Sequence, residues 1–297
     1  MSNEDEKATG LVPSPSSALS RVGSTSLVQR GMQDLIARAE AEQWCEQGRI
    51  FQRQEQYVEA VECFRRGLQF DPNHEYLQFL IGSAYYQGNG VPELDYTQAR
   101  FWLSKAAEQG HAASQAILGI MYEWSFGVQQ DYAQALEWYR KAAEQGHAGA
   151  GYLLGCCYWE GRGVLQNHEQ ALAWFRKAAE LGNASAQFNL GVMYGFGRGV
   201  PRDDAEAVSW YRKAAELGNA SAQFNLGFMY HFGQGVPQDD AEAVSWYRKA
   251  AEQGHAGAAN NLAVCYEKGL GVPQDHSQAA EWYRKAAEQG DEASNLP

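Results

Sequence analysis

The sequence has few prolines, few cysteines and little positive charge. Its 297 residues include 8 Pro and 5 Cys, and 24 Lys and Arg stand against 36 Asp and Glu, which gives a formal net charge of −12. Nucleic acid is a poor candidate partner, because binding it takes clustered basic residues that neutralise phosphates. No apolar run approaches the roughly 20 residues of a membrane-spanning helix. We therefore expect no nucleic-acid partner and no membrane span.

The cysteines form no metal-binding or redox motif, and the N-terminal segment has no signal-peptide pattern. The five cysteines are irregularly spaced and form no Cys-x-x-Cys pair, which gives no support to a zinc or thioredoxin-like site. We expect buried thiols in a reducing compartment. Residues 1–30 lack a basic stretch followed by an apolar one, so no signal peptide and a cytoplasmic location are predicted. Their Ser-, Pro- and Gly-rich composition predicts disorder, and it also suits a type III secretion signal.

What the sequence does contain is a repeat. Six of its nine tryptophans are spaced by 36 residues, and the phrase Trp-Tyr-Arg-Lys-Ala-Ala-Glu-x-Gly, with small variations, surrounds them. Five whole units follow one another without a gap, and an earlier unit, 74–110, carries one extra residue. The units 183–218 and 219–254 differ at only five positions. The five units are 111–146, 147–182, 183–218, 219–254 and 255–290.

Each unit is predicted to form two helices, A and B. In 183–218 we expect helix A over about 184–194, followed by a Gly- and Pro-rich break from Gly195 to Pro201. Asp203 is placed to cap helix B, and Gly218 to end it in the left-handed conformation. The periodic tryptophan of helix B, Trp210 in this unit, is predicted to be a buried core residue between repeats.

The repeated pattern A-x-A-x-x-x-L-G-x-x-Y-x-x-G-x-G-V-P-x-D-x-x-x-A-x-x-W-Y-R-K-A-A-E-x-G resembles the Sel-1-like repeat. It recurs six times over about 74–290, and the segment 41–74 is similar to the related 34-residue tetratricopeptide repeat. The resemblance implies an all-α, right-handed α-solenoid of helical hairpins, in which neighbouring repeats stabilise one another.

The same resemblance predicts the domain organisation. A disordered segment, 1–30, precedes a capping helix with one tetratricopeptide repeat, 31–74, and six Sel-1-like repeats, 75–290. The tail 291–297 resembles the start of another helix A, with no polar capping helix behind it. An uncapped last repeat predicts exposed apolar surface and self-association.

No catalytic constellation is apparent. The Gly-x-Gly-Val segments follow a helix rather than a strand, and His111, His147 and His255 share one helix-start position of the repeat. We therefore expect no catalytic, cofactor or metal site. Some cysteine-rich members of the Sel-1-like family are linked to β-lactam binding or hydrolysis, but their regular cysteine pairs are missing here. An enzyme of that kind is the least favoured hypothesis.

The positions that the repeat leaves free are the candidate binding residues. In tetratricopeptide-type arrays, which these repeats resemble, helix A lines the concave groove. The alternative is that these large residues only close a tight superhelix against itself. The predicted groove residues are Tyr86, Trp124, Trp159, Phe196, Phe228, His231 and Phe232.

The sequence favours a non-enzymatic scaffold or adaptor that binds a protein or peptide in this groove. Members of the Sel-1-like family act as adaptors in signalling, protein quality control, envelope processes and host–bacterium contact, so the resemblance alone names no partner. The alternative hypothesis is a secreted bacterial effector, or a component of a secretion or toxin–immunity system, exported through residues 1–30.

Overall fold

Short helices separated by glycine turns account for the regular structure of the chain. The computed structural model describes residues 16–294, and side chains from 26 to 290. All regular elements in that range are α-helices. The chain divides into two compact units between Ala106 and Ala107. The first unit contains α1 (Ser16–Arg53), α2 (Tyr57–Phe70), α3 (Glu75–Gln87) and most of α4 (Tyr96–Glu108).

The second unit consists of five antiparallel hairpins, each made of a helix A and a helix B. The A helices are α5 (Ala112–Trp124), α7 (Ala148–Glu160), α9 (Ala184–Phe196), α11 (Ala220–Phe232) and α13 (Ala256–Lys268). The B helices are α6 (Tyr132–Glu144), α8 (His168–Glu180), α10 (Asp204–Glu216), α12 (Asp240–Glu252) and α14 (His276–Ser294). Within this unit each helix packs against the next along the chain, which is the solenoid arrangement expected from the repeat.

Side-chain caps set where the helices begin. Asn183 Oδ1 accepts a hydrogen bond from the backbone N–H of Ala186 at 2.8 Å, and His147 Nδ1 accepts one from Ala150 at 3.1 Å. Asp203 caps the helix B that follows α9, as predicted, by accepting from the N–H group of residue 206. These caps satisfy backbone donors that no helical carbonyl can reach.

The A helices run further than the sequence indicates. We expected Gly195 to belong to the break after helix A, but α9 continues through it to Phe196. Gly197 ends the helix instead, with φ +64°. A left-handed residue is needed only where the chain reverses, and a glycine before that point is compatible with ordinary helical backbone. Gly195 is therefore a helical residue that lacks a side chain.

The most deeply buried aromatic residue of the hairpin α7–α8 is the one after the periodic tryptophan. Phe175 is fully buried, and its ring lies where a side chain on Gly155 of helix A would be. The tryptophan just before it, Trp174, is only half-buried. Trp210 likewise is half-buried and packs onto the core of the preceding hairpin. The prediction that Trp210 is a buried core residue between repeats is met in part. Its ring packs on the core at the seam between hairpins, but the residue is only half-buried, and the core does not cover the outer face of the ring.

A lysine covers that outer face. Lys213 Nζ lies 3.9 Å from the ring centroid of Trp210, and Lys249 lies 3.9 Å from Trp246. The spacing of three residues places both side chains on one face of helix B. An arginine of helix B also reaches forward to the next hairpin. Arg212, for example, donates to the Tyr230 hydroxyl at 2.8 Å.

Both ends of the chain differ from the predicted organisation. We expected the segment 1–30 to be disordered. Its residues 1–15 lie outside the described part of the chain, and from Ser16 onward the segment forms the start of α1. Helical hydrogen bonds are local, so a helix can extend past the last residue that it packs against. At the other end, α14 continues through Gly290 to Ser294 instead of turning into a further helix A.

Candidate functional site

The predicted groove residues of the second unit lie in the last turns of the A helices. Trp124, Phe196 and Phe232 are the final residues of α5, α9 and α11, each followed by a left-handed residue that ends the helix. Their exposed fractions are 60%, 68% and 55%. Large apolar side chains that stay this exposed in a well-packed array are candidates for contact with a partner.

Five of the seven predicted residues lie next to one another. The rings of Phe228 and Phe232 are 4.4 Å apart, and Phe196 lines the same cleft as Phe228. The Arg198 guanidinium bridges the next step, with Cζ 5.6 Å from the Trp159 ring and 5.8 Å from the Phe196 ring. His231 packs edge-on against the ring of Phe232 at 4.6 Å. We call Trp159, Phe196, Phe228, His231 and Phe232 the aromatic strip.

The other two predicted residues, Trp124 and Tyr86, are not part of the strip. Trp124 lies at the same helix position as Phe196, two hairpins earlier, and Glu160 occupies that position in between. Tyr86 belongs to the first unit, where its ring is 5.7 Å from that of Tyr96. Burial raises the pKa of Tyr86 above its ordinary value.

One position, which contributes Trp159 and His231 to the strip, changes from hairpin to hairpin, and its residues His231 and Gly195 line clefts between successive A helices. It is the second-to-last residue of each A helix. In the first hairpin it is Glu123, which is only 2% exposed. The Tyr139 hydroxyl donates to its carboxylate at 2.5 Å, and Arg162 of the next hairpin forms an ion pair with it. The residues at this position are Glu123, Trp159, Gly195, His231 and Glu267.

Aromatic side chains occupy the same position in two further hairpins. The Trp159 ring lies 4.5 Å from the ring of His168, the first residue of helix B in its hairpin. His231 contacts the corresponding residue of its own hairpin, with Nδ1 2.6 Å from Oδ1 of Asp240. Since an ionised carboxylate can only accept, Nδ1 of His231 carries the proton in this bond.

Gly195 leaves the corresponding cleft open. A cavity of about 380 Å³ lies between α9 and α11, whereas the cleft that His231 enters measures about 220 Å³. Of its ten lining residues, four are aromatic and four others carry a charge or an amide group. The lining residues are Gly195, Phe196, Arg202, Asp204, Tyr211, Phe224, Asn225, Phe228, Met229 and Gln234. We call this space the Gly195 cleft.

Two of the polar residues that line the Gly195 cleft form an ion pair. The Arg202 guanidinium donates twice to the carboxylate of Asp204, with both distances 2.9 Å. This hydrogen bond raises the pKa of Arg202 above its ordinary value. Burial raises the pKa of the Tyr211 phenol to about 12, although a hydrogen bond with Asn225 opposes this shift. The cleft thus combines a carboxylate, an amide and a neutral phenol with an aromatic wall.

The cysteines are poorly suited to act as nucleophiles. Burial raises the pKa of Cys156 to about 11 and that of Cys265 to about 11, which disfavours the nucleophilic thiolate. All five cysteines are buried free thiols, as expected. Between residues 26 and 290, no three His, Cys, Asp or Glu side chains are grouped as metal ligands. Within the described part of the chain, no helix combines the length and hydropathy of a bilayer span.

The fold defines an α-solenoid of helical hairpins, and comparison with known proteins specifies the class. The Sel1 repeat model matches residues 76–111, 112–147, 149–183, 184–219, 220–255 and 256–291, and the tetratricopeptide repeat model matches 41–74. The chain therefore belongs to the Sel1 repeat family, with one tetratricopeptide repeat before the Sel1 repeats. Repeats of this family typically mediate protein–protein interaction and are generally non-catalytic.

Two solved structures are similar over most of the chain. One is c5321, described as a protective antigen present in uropathogenic Escherichia coli strains, which is 38% identical with a TM-score of 0.78. That match covers 89% of this chain but only 57% of c5321. The other is a Sel1 repeat protein from Oxalobacter formigenes, 35% identical with a TM-score of 0.71, covering 82% of this chain and 96% of that one. No curated protein matches the chain in sequence.

Proposed function

We propose that this protein is a non-enzymatic scaffold that binds a protein or peptide segment along the aromatic strip. The observation that carries the proposal is the exposure of Phe196 and Phe232 at the ends of two successive A helices. The aromatic side chains that pack helix B against helix A are buried instead, as Phe175 and Tyr247 are. The array thus buries the rings that hold its hairpins together and leaves the rings of this strip in contact with solvent.

The energetics of aromatic contacts support such a role. Aromatic side chains that become buried at the centre of an interface typically contribute about 2 kcal/mol or more each. Phe196, Phe228 and Phe232 lie along one surface with an open cleft beside them. Arg198 and Arg202 flank it, and they offer donors to the backbone carbonyls or carboxylates of a bound segment.

Selection from a random-peptide phage library tests the proposal. The wild-type protein is expected to enrich a family of related peptides. The variant Phe196→Ser/Phe232→Ser is expected to lose that enrichment while keeping its helicity, because both side chains are exposed and contribute little to folding.

A matched control replaces two exposed leucines away from the strip. Leu181 and Leu217 are 55% and 57% exposed and lie at the C-terminal ends of α8 and α10. The variant Leu181→Ser/Leu217→Ser is expected to enrich the same peptides as the wild type. Equal enrichment by all three proteins, or by none of them, would contradict the proposal.

A further inference from the structure

The two nearly identical hairpins show what the Gly195 cleft lacks. In α11–α12, the His231 side chain enters the cleft beside its helix and binds the carboxylate of Asp240. In α9–α10, the corresponding residues are Gly195 and Asp204. The carboxylate is kept and is bound by Arg202 instead of a ring, and the space that the ring would fill is open.

Every other hairpin of the second unit places a large side chain at this position. Glu123 is held by Tyr139 and Arg162, and Trp159 packs on His168. Glu267 accepts from the Tyr283 hydroxyl at 2.9 Å. A side chain at this position is therefore the rule of the array, and Gly195 is the exception.

The differences between the two hairpins concentrate around this cleft. Of the five positions at which units 183–218 and 219–254 differ, one pair is Gly195 and His231. Arg202 and Phe228, each from another differing pair, line the Gly195 cleft, and so does Gln234. The fifth differing pair, Leu217 and Gln253, lies at the end of helix B, and the rest of the two hairpins is the same, including the N-terminal caps and the buried tyrosines.

We infer that the Gly195 cleft receives an aromatic side chain with a ring N–H, a tryptophan or histidine of the bound peptide, and that Asp204 accepts from that N–H. This inference rests on the proposed function and assigns the anchoring pocket of the same surface. The ring packs against Phe196, Phe224 and Phe228, as His231 packs against Phe232 in the next hairpin. Asp204 then makes to the ligand the bond that Asp240 makes to His231.

A substitution that refills the cleft from within tests the inference. A Cβ on Gly195 would meet Ala207 Cβ at 3.6 Å and the Tyr211 hydroxyl at 3.8 Å, which are ordinary contacts, and the backbone there is helical. Gly195→His is therefore expected to fold and to place its own ring near Asp204. Gly195→Trp, which copies the residue type found at Trp159 in the preceding hairpin, is the second variant if the first loses helicity.

The probes are N-acetyl-tryptophanamide and N-acetyl-histidinamide, with N-acetyl-phenylalaninamide as the control that has a ring but no ring N–H. Binding is measured by protein-observed NMR titration. The wild type is expected to bind the first two more tightly than the phenylalanine amide. Gly195→His is expected to weaken them about tenfold or more.

A separate variant tests the role of the Asp204 carboxylate. Asp204→Ala is expected to remove the preference for the ring N–H, whereas Asp240→Ala, which does not line the Gly195 cleft, leaves it unchanged. Asp204 follows the capping residue Asp203, so the cap is retained in the variant. Unchanged binding of the amides by Gly195→His, or equal binding of all three amides by the wild type, would overturn the inference.

The outcomes also separate this inference from the proposed function. If the phage-selected peptides lose binding to Phe196→Ser/Phe232→Ser but bind Gly195→His as well as the wild type, the strip is an interaction surface and the inferred pocket is wrong. If the amides bind and Gly195→His abolishes their binding while no peptide is enriched, the pocket holds and the scaffold role is wrong.

Discussion

The hairpins α9–α10 and α11–α12 have the same fold and nearly the same sequence, so the structural differences between them can be assigned to a few residues. They share 31 of 36 residues, as follows from the five differences between their units. The shared residues include the N-terminal caps, the buried tyrosines Tyr211 and Tyr247, and the Trp–Lys pairs of the B helices. Four of the differing pairs lie near the ends of the A helices or in the following turn.

This comparison separates two kinds of position. The shared positions include a packing frame, made of the buried tyrosines, the Trp–Lys pairs and the N-terminal caps. The differing positions Gly195 and His231 change the space beside the frame without disturbing it. A repeat array can therefore vary its surface one cleft at a time while its stability stays with the shared contacts.

The largest expected effect is on the frame. Phe175→Ala is expected to lower the free energy of unfolding by roughly 3–5 kcal/mol, because it empties a fully buried ring site beside Gly155. Trp174→Ala is expected to cost only about 1–2 kcal/mol, since that ring is half-buried. Urea denaturation followed by circular dichroism measures both. A larger loss for Trp174→Ala would show that the tryptophan is the central frame residue after all.

The next effect tests the turn between the A and B helices. A Cβ on Gly235 would lie 2.2 Å from the backbone oxygen of Asp204, and its φ is +69°. Gly235→Ala is expected to cost roughly 3 kcal/mol from the clash and the left-handed backbone together.

Gly218→Ala, in the turn that follows helix B, is the control for the backbone strain alone. Gly218 has φ +88°, but a Cβ there meets nothing within 4 Å, so only the backbone strain of about 1 kcal/mol is expected. Thermal denaturation compares the two variants. Equal losses of stability would mean that the close approach of neighbouring hairpins at Gly235 adds nothing to the cost of Gly235→Ala.

A smaller effect distinguishes hairpins capped by histidine from those capped by asparagine. Burial lowers the pKa of His147 and of His255, whose neutral Nδ1 atoms accept from the N–H groups of Ala150 and Ala258. Because the pKa is lower in the folded state, this stabilisation is complete above the unfolded pKa and is lost as the pH falls through the folded pKa.

In the variant His147→Asn/His255→Asn, both capping residues become asparagine, the residue that caps α9 and α11. Asparagine does not titrate between about pH 8 and about pH 5. From about pH 8 to about pH 5, the wild type is expected to lose about 1 kcal/mol more stability than this variant. Parallel stability profiles against pH would contradict the capping role of the two histidines.

The smallest effect should be the same in both of the compared hairpins. Lys213→Met and Lys249→Met remove the charge over the tryptophan ring and keep the apolar stem of the side chain. Each is expected to cost about 0.5 kcal/mol, the value of an exposed cation–π contact. Since both lysines lie 3.9 Å from their rings, unequal losses in thermal denaturation would show that the frame differs between the two hairpins.

The repeat made the fold predictable, while individual side chains were harder to place. The 36-residue period, the Asp203 cap and the left-handed Gly218 were predicted from residue type and spacing, and the structure confirms them. The helical state of Gly195 was missed, because three glycines close together look like one turn. The full burial of Phe175 was missed, because the larger and strictly periodic ring of Trp174 was assigned the core position.

The candidate site was predictable only as a set of positions. The period identified which A-helix residues vary, including Phe196, Phe228 and His231. The cavity beside Gly195 depends on distances between neighbouring helices, which no spacing in the sequence gives. The partner of Glu123, the next hairpin's Arg162, likewise became visible only in three dimensions.

A crystal structure with bound N-acetyl-tryptophanamide would show directly whether the Gly195 cleft is the anchoring pocket. We expect an indole ring between Phe196 and Phe228, with its N–H directed at the carboxylate of Asp204, and an unliganded cleft beside His231. An indole ring bound elsewhere on the array, with the Gly195 cleft empty, would contradict it.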